Sequence, residues 1–285
     1  MVAYLLGIVT LLIGAAMPVS LPWAWFPTDP NPPATPWSIL AWRENVSAPW
    51  KVDPAAETQG VIGLGVSIAV CLAVGAGLML WGRGQRRGQL LRKEAMAVVG
   101  LSWVLATVLG ALPFLLSQTG RGMDGKKPIR MTVADALFES QSGFSTTGAT
   151  VLTNIENIKL VPRCILFWRS VTHFLGGLGI IVLFVAVLGQ GSAGKALMRA
   201  EMPGPTKDVG HAKTQYAAIR FAKIYIGLNF ALAVLLWVEG MHWFAALCHA
   251  LGTLATGGFS TYDTSLGYFN SPLIESTVLL FMILA

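Results

Sequence analysis

Ser142-Gly143-Phe144-Ser145-Thr146-Thr147-Gly148-Ala149-Thr150 lies between two apolar runs. It returns in altered form as Leu251-Gly252-Thr253-Leu254-Ala255-Thr256-Gly257-Gly258-Phe259. A lag of 109 residues pairs Ala136 with Ala245, Gly143 with Gly252, Thr147 with Thr256 and Gly148 with Gly257. Each copy follows a short apolar helix-like run and precedes a longer hydrophobic stretch. Backbone that leaves the helix at membrane depth is tolerated only where protein buries it or where it lines a watery path. Two such interruptions at equivalent places predict a pore or a binding site built from repeats.

The rest of the chain suits that setting. Hydrophobic residues make up 54% of it and charged residues 12%, with a mean hydropathy of +0.62; a soluble domain carries about 25% charged residues. This predicts an all-α integral membrane protein in contact with membrane lipid. The net charge of +6 is spread over short connections rather than one basic face. It reads as topology signal and headgroup contact, not as a surface for nucleic acid. Cys71, Cys164 and Cys248 sit in apolar stretches without metal-ligand spacing and read as small buried hydrophobes. The sequence holds no credible catalytic constellation and no phosphate-binding loop, so an enzyme is not expected.

Hydropathy divides the chain into three parts. Residues 1–93 form an extra helix pair with a Pro/Trp-rich external loop. The run Val2–Val19 lacks a basic start and a clear cleavage site, so it reads as a retained span closed by Pro18 and Pro22. Eight prolines from Pro22 to Pro54, with Trp23, Trp25, Trp37, Trp42 and Trp50, predict an extended loop on the membrane surface. Gly60–Trp81 is the second span, and Arg83, Arg86, Arg87, Arg92 and Lys93 mark the cytoplasmic side.

Residues 94–190 form a helix–pore-loop–helix unit. It comprises the span Ala95–Leu116, an outer connection Gln118–Arg130, a short helix Thr132–Ser142, the first turn, and a span Arg163–Leu188 interrupted at Gly176-Gly177-Leu178-Gly179. The outer connection is itself basic, against the positive-inside trend. Residues 191–285 repeat the plan: an inner loop Gly191–Gln215, a span Tyr216–Val238, a short helix His242–Thr253 and the turn Ala255–Ser260. The final run from Pro272 to Ala285 makes about 21 Å of helix, short of the roughly 30 Å hydrocarbon core, and predicts a last helix that is incomplete.

Thr146-Thr147-Gly148-Ala149 and Ala255-Thr256-Gly257-Gly258 read as a cation filter. Glycine lets successive carbonyls aim to one side, and carbonyl oxygens can replace the water shell of a cation without a formal charge. Close helix packing by small residues is the competing reading; recurrence at one lag, each time after a short helix, favours the filter. Thr132 and Asp135 form a capping-box pattern. A helix starting there presents its partly negative C-terminal end to the turn, which suits a cation. Glu139 and Arg169 fall at membrane depth, where unpaired charge is costly, and read as a pair bracing the turn; direct ion binding by Glu139 is the alternative. His173 and His249 read as packing or hydrogen-bonding residues, and Gly176–Gly179 as close packing or a hinge.

At these residues the chain resembles the Trk/Ktr/HKT superfamily of potassium and sodium transporters, in its bacterial TrkH-type branch. The resemblance is carried by Phe138–Val151, by Gly176-Gly177-Leu178-Gly179-Ile180, by Arg199-Ala200-Glu201-Met202-Pro203-Gly204-Pro205 and by Thr256-Gly257-Gly258-Phe259-Ser260-Thr261. It implies four helix–pore-loop–helix repeats around one pore in the cytoplasmic (inner) membrane, of which this chain holds the extra pair, one repeat and part of a second. It further implies a filter of Thr146, Thr147, Gly148, Ala255, Thr256 and Gly257, supported by Glu139, Arg169, Ala149 and Gly258. Potassium is the implied substrate, with no covalently bound cofactor. A homodimer and a cytoplasmic nucleotide-binding regulatory subunit, contacting Arg199–Lys213, are the implied partners. An ion-coupled secondary transporter with broken helices, or a non-conducting assembly subunit, are the other readings.

Overall fold

In lipid a chain must satisfy its backbone polar groups internally, so long apolar runs become helices. The computed structural model describes residues 2–25, 53–85, 92–125, 127–157, 159–188 and 211–285. The Pro/Trp-rich loop from 26 to 52, Arg86 and Arg87 of the basic turn, and the 189–210 segment with its Arg199–Pro205 motif lie outside the described residues. So does most of the expected Arg199–Lys213 contact.

The first helix, α1 (Val2–Ala16), passes into a 3-10 turn at Met17–Ala24, where Pro18 and Pro22 remove amide donors. Helix α2 (Pro54–Gly82) starts on the Asp53 carboxylate, which accepts from the Ala55 amide at 3.0 Å, with Pro54 at the first helical position. Helix α3 (Arg92–Leu116) ends in a two-stranded antiparallel hairpin, β1 (Gly120–Asp124) and β2 (Lys127–Arg130). The short helix α4 (Val133–Phe144) follows, then α5 (Arg163–Leu188), α6 (His211–Val238), the second short helix α7 (Trp243–Leu254) and α8 (Pro272–Leu284). Val2–Ala24, Pro54–Gly82, Met96–Leu116 and Ile219–Val238 are each long and apolar enough to cross a membrane.

One expected connection gains a structure and two expectations change. The outer connection Gln118–Arg130 is a hairpin: the Gly120 amide donates to the Leu160 carbonyl at 2.7 Å and the Thr153 amide to Arg121 at 2.9 Å. Ladder bonds close the hairpin, and these anchors bind it to the segment beyond the first turn. Helix α5 runs unbroken through Gly176–Gly179. A Cβ on Gly176 would overlap the Phe144 carbonyl, and one on Gly177 would lie 2.6 Å from the Tyr225 hydroxyl. These two glycines are points of close approach. Trp23 is buried at 6% exposure instead of facing headgroups, stacking at 4.7 Å on Phe167 of α5 and lying 4.4 Å from Trp243 of α7.

The core has two clusters. One joins α1 to α5, and the other joins α6, α7 and α8 through Tyr225, Leu232, Leu236, Leu254 and Phe281. Helix α7 belongs to both, because Phe244, Cys248 and Leu251 face the first cluster while Ala245, Ala246 and Ala250 face the second. That double packing sets the second turn against the first.

Candidate functional site

Both short helices end in the same way. The Thr146 amide donates to Gly143 and the Thr147 amide to Ser142; the Thr256 amide donates to Thr253 and the Gly257 amide to Gly252. These are the paired bonds of a Schellman helix end, with the residue after the cap left-handed. That residue is Thr146 (φ 53°) in one turn and Thr256 (φ 55°) in the other, followed two positions on by Gly148 (φ 76°) and Gly258 (φ 85°). Glycine is the usual occupant of a left-handed position; a β-branched threonine there is an outlier costing about 1–3 kcal/mol. The same outlier at two equivalent helix ends is held by the bonds around it. Strain repeated at two equivalent helix ends makes these turns the candidate site.

The structural register is therefore 110 residues, one more than the sequence lag of 109. Thr132 and His242 are the two N-caps, Phe144 and Leu254 the last helical residues, and Ser145 and Ala255 the C-caps. Ser142 Oγ donates to the Ala149 carbonyl at 2.6 Å, and a Cβ on Gly252 would sit 3.2 Å from the equivalent Phe259 carbonyl. The glycine-rich composition of the second turn allows a match in either frame; helix caps and left-handed residues choose between them. Met131/Met241, Ala136/Ala246, Leu137/Leu247, Thr146/Thr256, Gly148/Gly258 and Pro162/Pro272 are among the identities at this lag. Ala255, expected within the filter, is the buried C-cap of α7 and corresponds to Ser145. Thr146-Thr147-Gly148 matches Thr256-Gly257-Gly258.

The turns touch. A Cβ on Gly148 would overlap the Gly257 carbonyl, so backbone lies directly against backbone there. Thr147, Ala149, Thr150, Thr256 and Gly258 are exposed, whereas Gly257 is buried.

Behind the first turn, Glu139 has no exposed surface and Arg169 only 2%. Arg169 Nε donates to Glu139 Oε1 at 2.5 Å, the pair expected from sequence. The carboxylate also accepts from Thr150 Oγ1 at 2.9 Å and from the Val151 amide at 3.1 Å, so its oxygens serve the chain beyond the turn. Arg169 Nη1 donates to the Ser260 carbonyl of the second turn at 2.8 Å, and its guanidinium lies 3.6 Å from the centre of the Phe259 ring. One arginine thus spans both turns. At the place of Glu139, the second short helix has His249, paired with Ser260 Oγ at 3.0 Å and with the Ala245 carbonyl at 2.7 Å. Sequence reading placed His249 among hydrogen-bonding residues but missed that it replaces Glu139; only the 110-residue frame reveals that.

Two further supports had no sequence signal. Glu57, in the first turn of α2, accepts from the Arg163 amide at 2.5 Å and from the Cys164 amide at 3.4 Å, and so caps α5 from another helix. Asp263 Oδ1 accepts from the Ile155 amide at 2.7 Å, while the Asp263 amide donates to Glu156 Oε1 at 3.0 Å. Among the described residues no group of three or more His, Cys, Asp or Glu side chains is placed to hold a metal ion. Backbone oxygens and threonine hydroxyls are what the turns offer a ligand.

Comparison with known proteins follows the same lines. A family model described as TrkH, cation transport protein, matches residues 66–285. The chain is 40% identical over 221 residues to the Trk system potassium uptake protein TrkH of Escherichia coli K12, covering 76% of this chain and 42% of that one. It is 38% identical to the corresponding protein of Vibrio parahaemolyticus, covering 73% and 41%, and 37% identical to the E. coli Trk system potassium uptake protein TrkG. The crystal structure of the potassium transporter TrkH from Vibrio parahaemolyticus superimposes with a TM-score of 0.73 at 28% identity, over 99% of this chain and 48% of that one. The chain spans about two fifths of the length of the curated relatives it matches.

Proposed function

The chain belongs to the TrkH cation transport protein family, and we propose that it carries part of the potassium pathway of an uptake system in the cytoplasmic (inner) membrane. Its relatives are potassium uptake proteins, which supports potassium as the substrate and transport as the activity. The observation that carries this reading is the meeting of two left-handed Thr-x-Gly turns, each on the C-terminal end of a short helix. Helix C-termini carry about half a negative charge. Two of them aimed at one place favour a cation and disfavour an anionic solute, which separates this reading from the broken-helix transporter that binds anions at helix N-termini.

In this proposal Thr146-Thr147-Gly148 and Thr256-Gly257-Gly258 supply filter carbonyls. Ala255, Ala149, Glu139 and Arg169 hold them in place. The division into residues 1–93, 94–190 and 191–285 follows, with α3–α4–α5 and α6–α7–α8 as related units. Leu72, Val104, Phe230 and Leu280 are exposed apolar side chains, as an apolar setting around the helices requires. A homodimer and a cytoplasmic nucleotide-binding subunit are the proposed partners.

The test replaces Gly148 with serine in the natural gene product, expressed in cells lacking other potassium uptake. A Cβ at φ 76° is strained and overlaps the Gly257 carbonyl. Potassium uptake should fall about tenfold or more, with weaker discrimination against sodium. Gly258→Ser has open space at its Cβ and should do less. Unchanged uptake and ion preference in Gly148→Ser would overturn the filter assignment.

A further inference from the structure

Gly257 is the one filter glycine in the second turn that is not left-handed, so backbone conformation does not explain its residue type. What explains it is a neighbour: a Cβ on Gly257 would fall inside the ring of His173, overlapping Cδ2 and Nε2 and approaching Cγ to 2.7 Å. His173 comes from α5, has no exposed surface, and neither ring nitrogen finds a hydrogen-bond partner among the described residues. A buried imidazole that forgoes hydrogen bonds costs about 1–3 kcal/mol. That cost accompanies tight packing, since the ring also lies 4.0 Å from the Phe259 ring, which Arg169 covers at 3.6 Å. Residues 169 and 173 are one helical turn apart and so share a face of α5.

At the equivalent place in the first turn, Thr147 has a side chain of its own, whose hydroxyl lies 2.8 Å from Ser145 Oγ. The second turn has neither hydroxyl: Ala255 replaces Ser145, and Gly257 replaces Thr147. We propose that His173 is the positioning residue of the second turn, its ring taking the space of the missing side chain and fixing the Gly257 carbonyl against Gly148. Helix α5, which follows the first turn in the chain, thereby sets the geometry of the second. This rests on the filter reading and names a residue that tunes ion preference without touching the ion.

The experiment is a size exchange in the natural gene product, reading folded yield and potassium-over-sodium preference in transport. Gly257→Ala alone should lower folded yield and reduce the preference about tenfold, because its methyl has no room. His173→Ala alone should keep most of the yield but weaken the preference, since the carbonyl loses its backing. The double variant should recover yield and most of the preference relative to Gly257→Ala. His173→Phe, which retains a ring without nitrogens, should preserve the preference better than His173→Ala. A Gly257→Ala variant with parental yield and preference, or a double variant no better than Gly257→Ala, would overturn the role of His173 while leaving the filter reading intact. A parent protein without any potassium preference would overturn both.

Discussion

Glu139 and Arg169 bring a full negative and a full positive charge into a region without solvent exposure. Each is expensive alone, and losing one partner of such a pair costs about 3–5 kcal/mol, because the other charge is left buried and unpaired. Glu139→Gln and Arg169→Met should each lower the thermal midpoint in detergent sharply, with the double variant costing less than the two singles combined. Additive losses would show that the residues act separately. The two changes should nevertheless differ in reach. Arg169 also holds the Ser260 carbonyl and covers Phe259, so its loss should disturb the second turn as well as the first. The pair itself was legible in the sequence, as two ionisable residues at membrane depth. The contacts of Arg169 to Phe259 and Ser260, 90 and 91 positions onward, were not, since nothing local encodes them.

The two short helices show how far local rules reach. Thr132 and Asp135 form the full reciprocal capping box, with the Thr132 amide bonded to Asp135 Oδ2 at 3.0 Å and the Asp135 amide to Thr132 Oγ1 at 3.2 Å. The second helix uses His242 instead, whose Nδ1 accepts from the Phe244 amide at 3.3 Å. Thr132→Ala should cost about 1 kcal/mol. The Thr132 amide, foremost, holds the Asp135 carboxyl below the usual carboxylate range. A lowered folded-state value means that the stabilisation is present above the ordinary range and is lost as pH falls through the lowered one. Asp135→Asn should therefore be less stable than the parent at neutral pH, and thermal melts should converge on acidification. A gap that stays constant down to strongly acidic pH would show that the charge contributes nothing. At the other helix end, short-range signals did less well. Two successive glycines, Gly257 and Gly258, blurred the frame by one residue, because only one of them is needed for its left-handed backbone.

Across the molecule, three ties hold the turns together: the Arg169 bond to Ser260, the backbone contact of Gly148 with Gly257, and the Asp263 clasp on Ile155 and Glu156. The clasp joins the segments that follow the two turns, and its bonds run in both directions. Asp263→Ala should leave the helices folded while raising hydrogen exchange at Ile155 and along residues 256–262. Unchanged exchange there would assign the turns' register to helix packing alone. The helix α7, shared between the two core clusters, is the other element of that register.

The sequence by itself determined the membrane setting, the order of long and short helices, the capping box of α4, the two Thr-Gly turns and the buried charge pair. All of these depend on residue type and on spacings within a helical turn or two, where composition, periodicity and capping chemistry act directly. Only the tertiary structure decided the 110-residue register, the place of Ala255 as a cap, the unbroken course of α5, the burial of Trp23, and the ring of His173 filling the space beside Gly257. Each depends on which surfaces meet after distant segments pack. A glycine looks the same in sequence whether it serves a left-handed turn, as at Gly148, or makes room for a neighbour 84 residues away, as at Gly257; steric exclusion by that neighbour exists only in the folded protein.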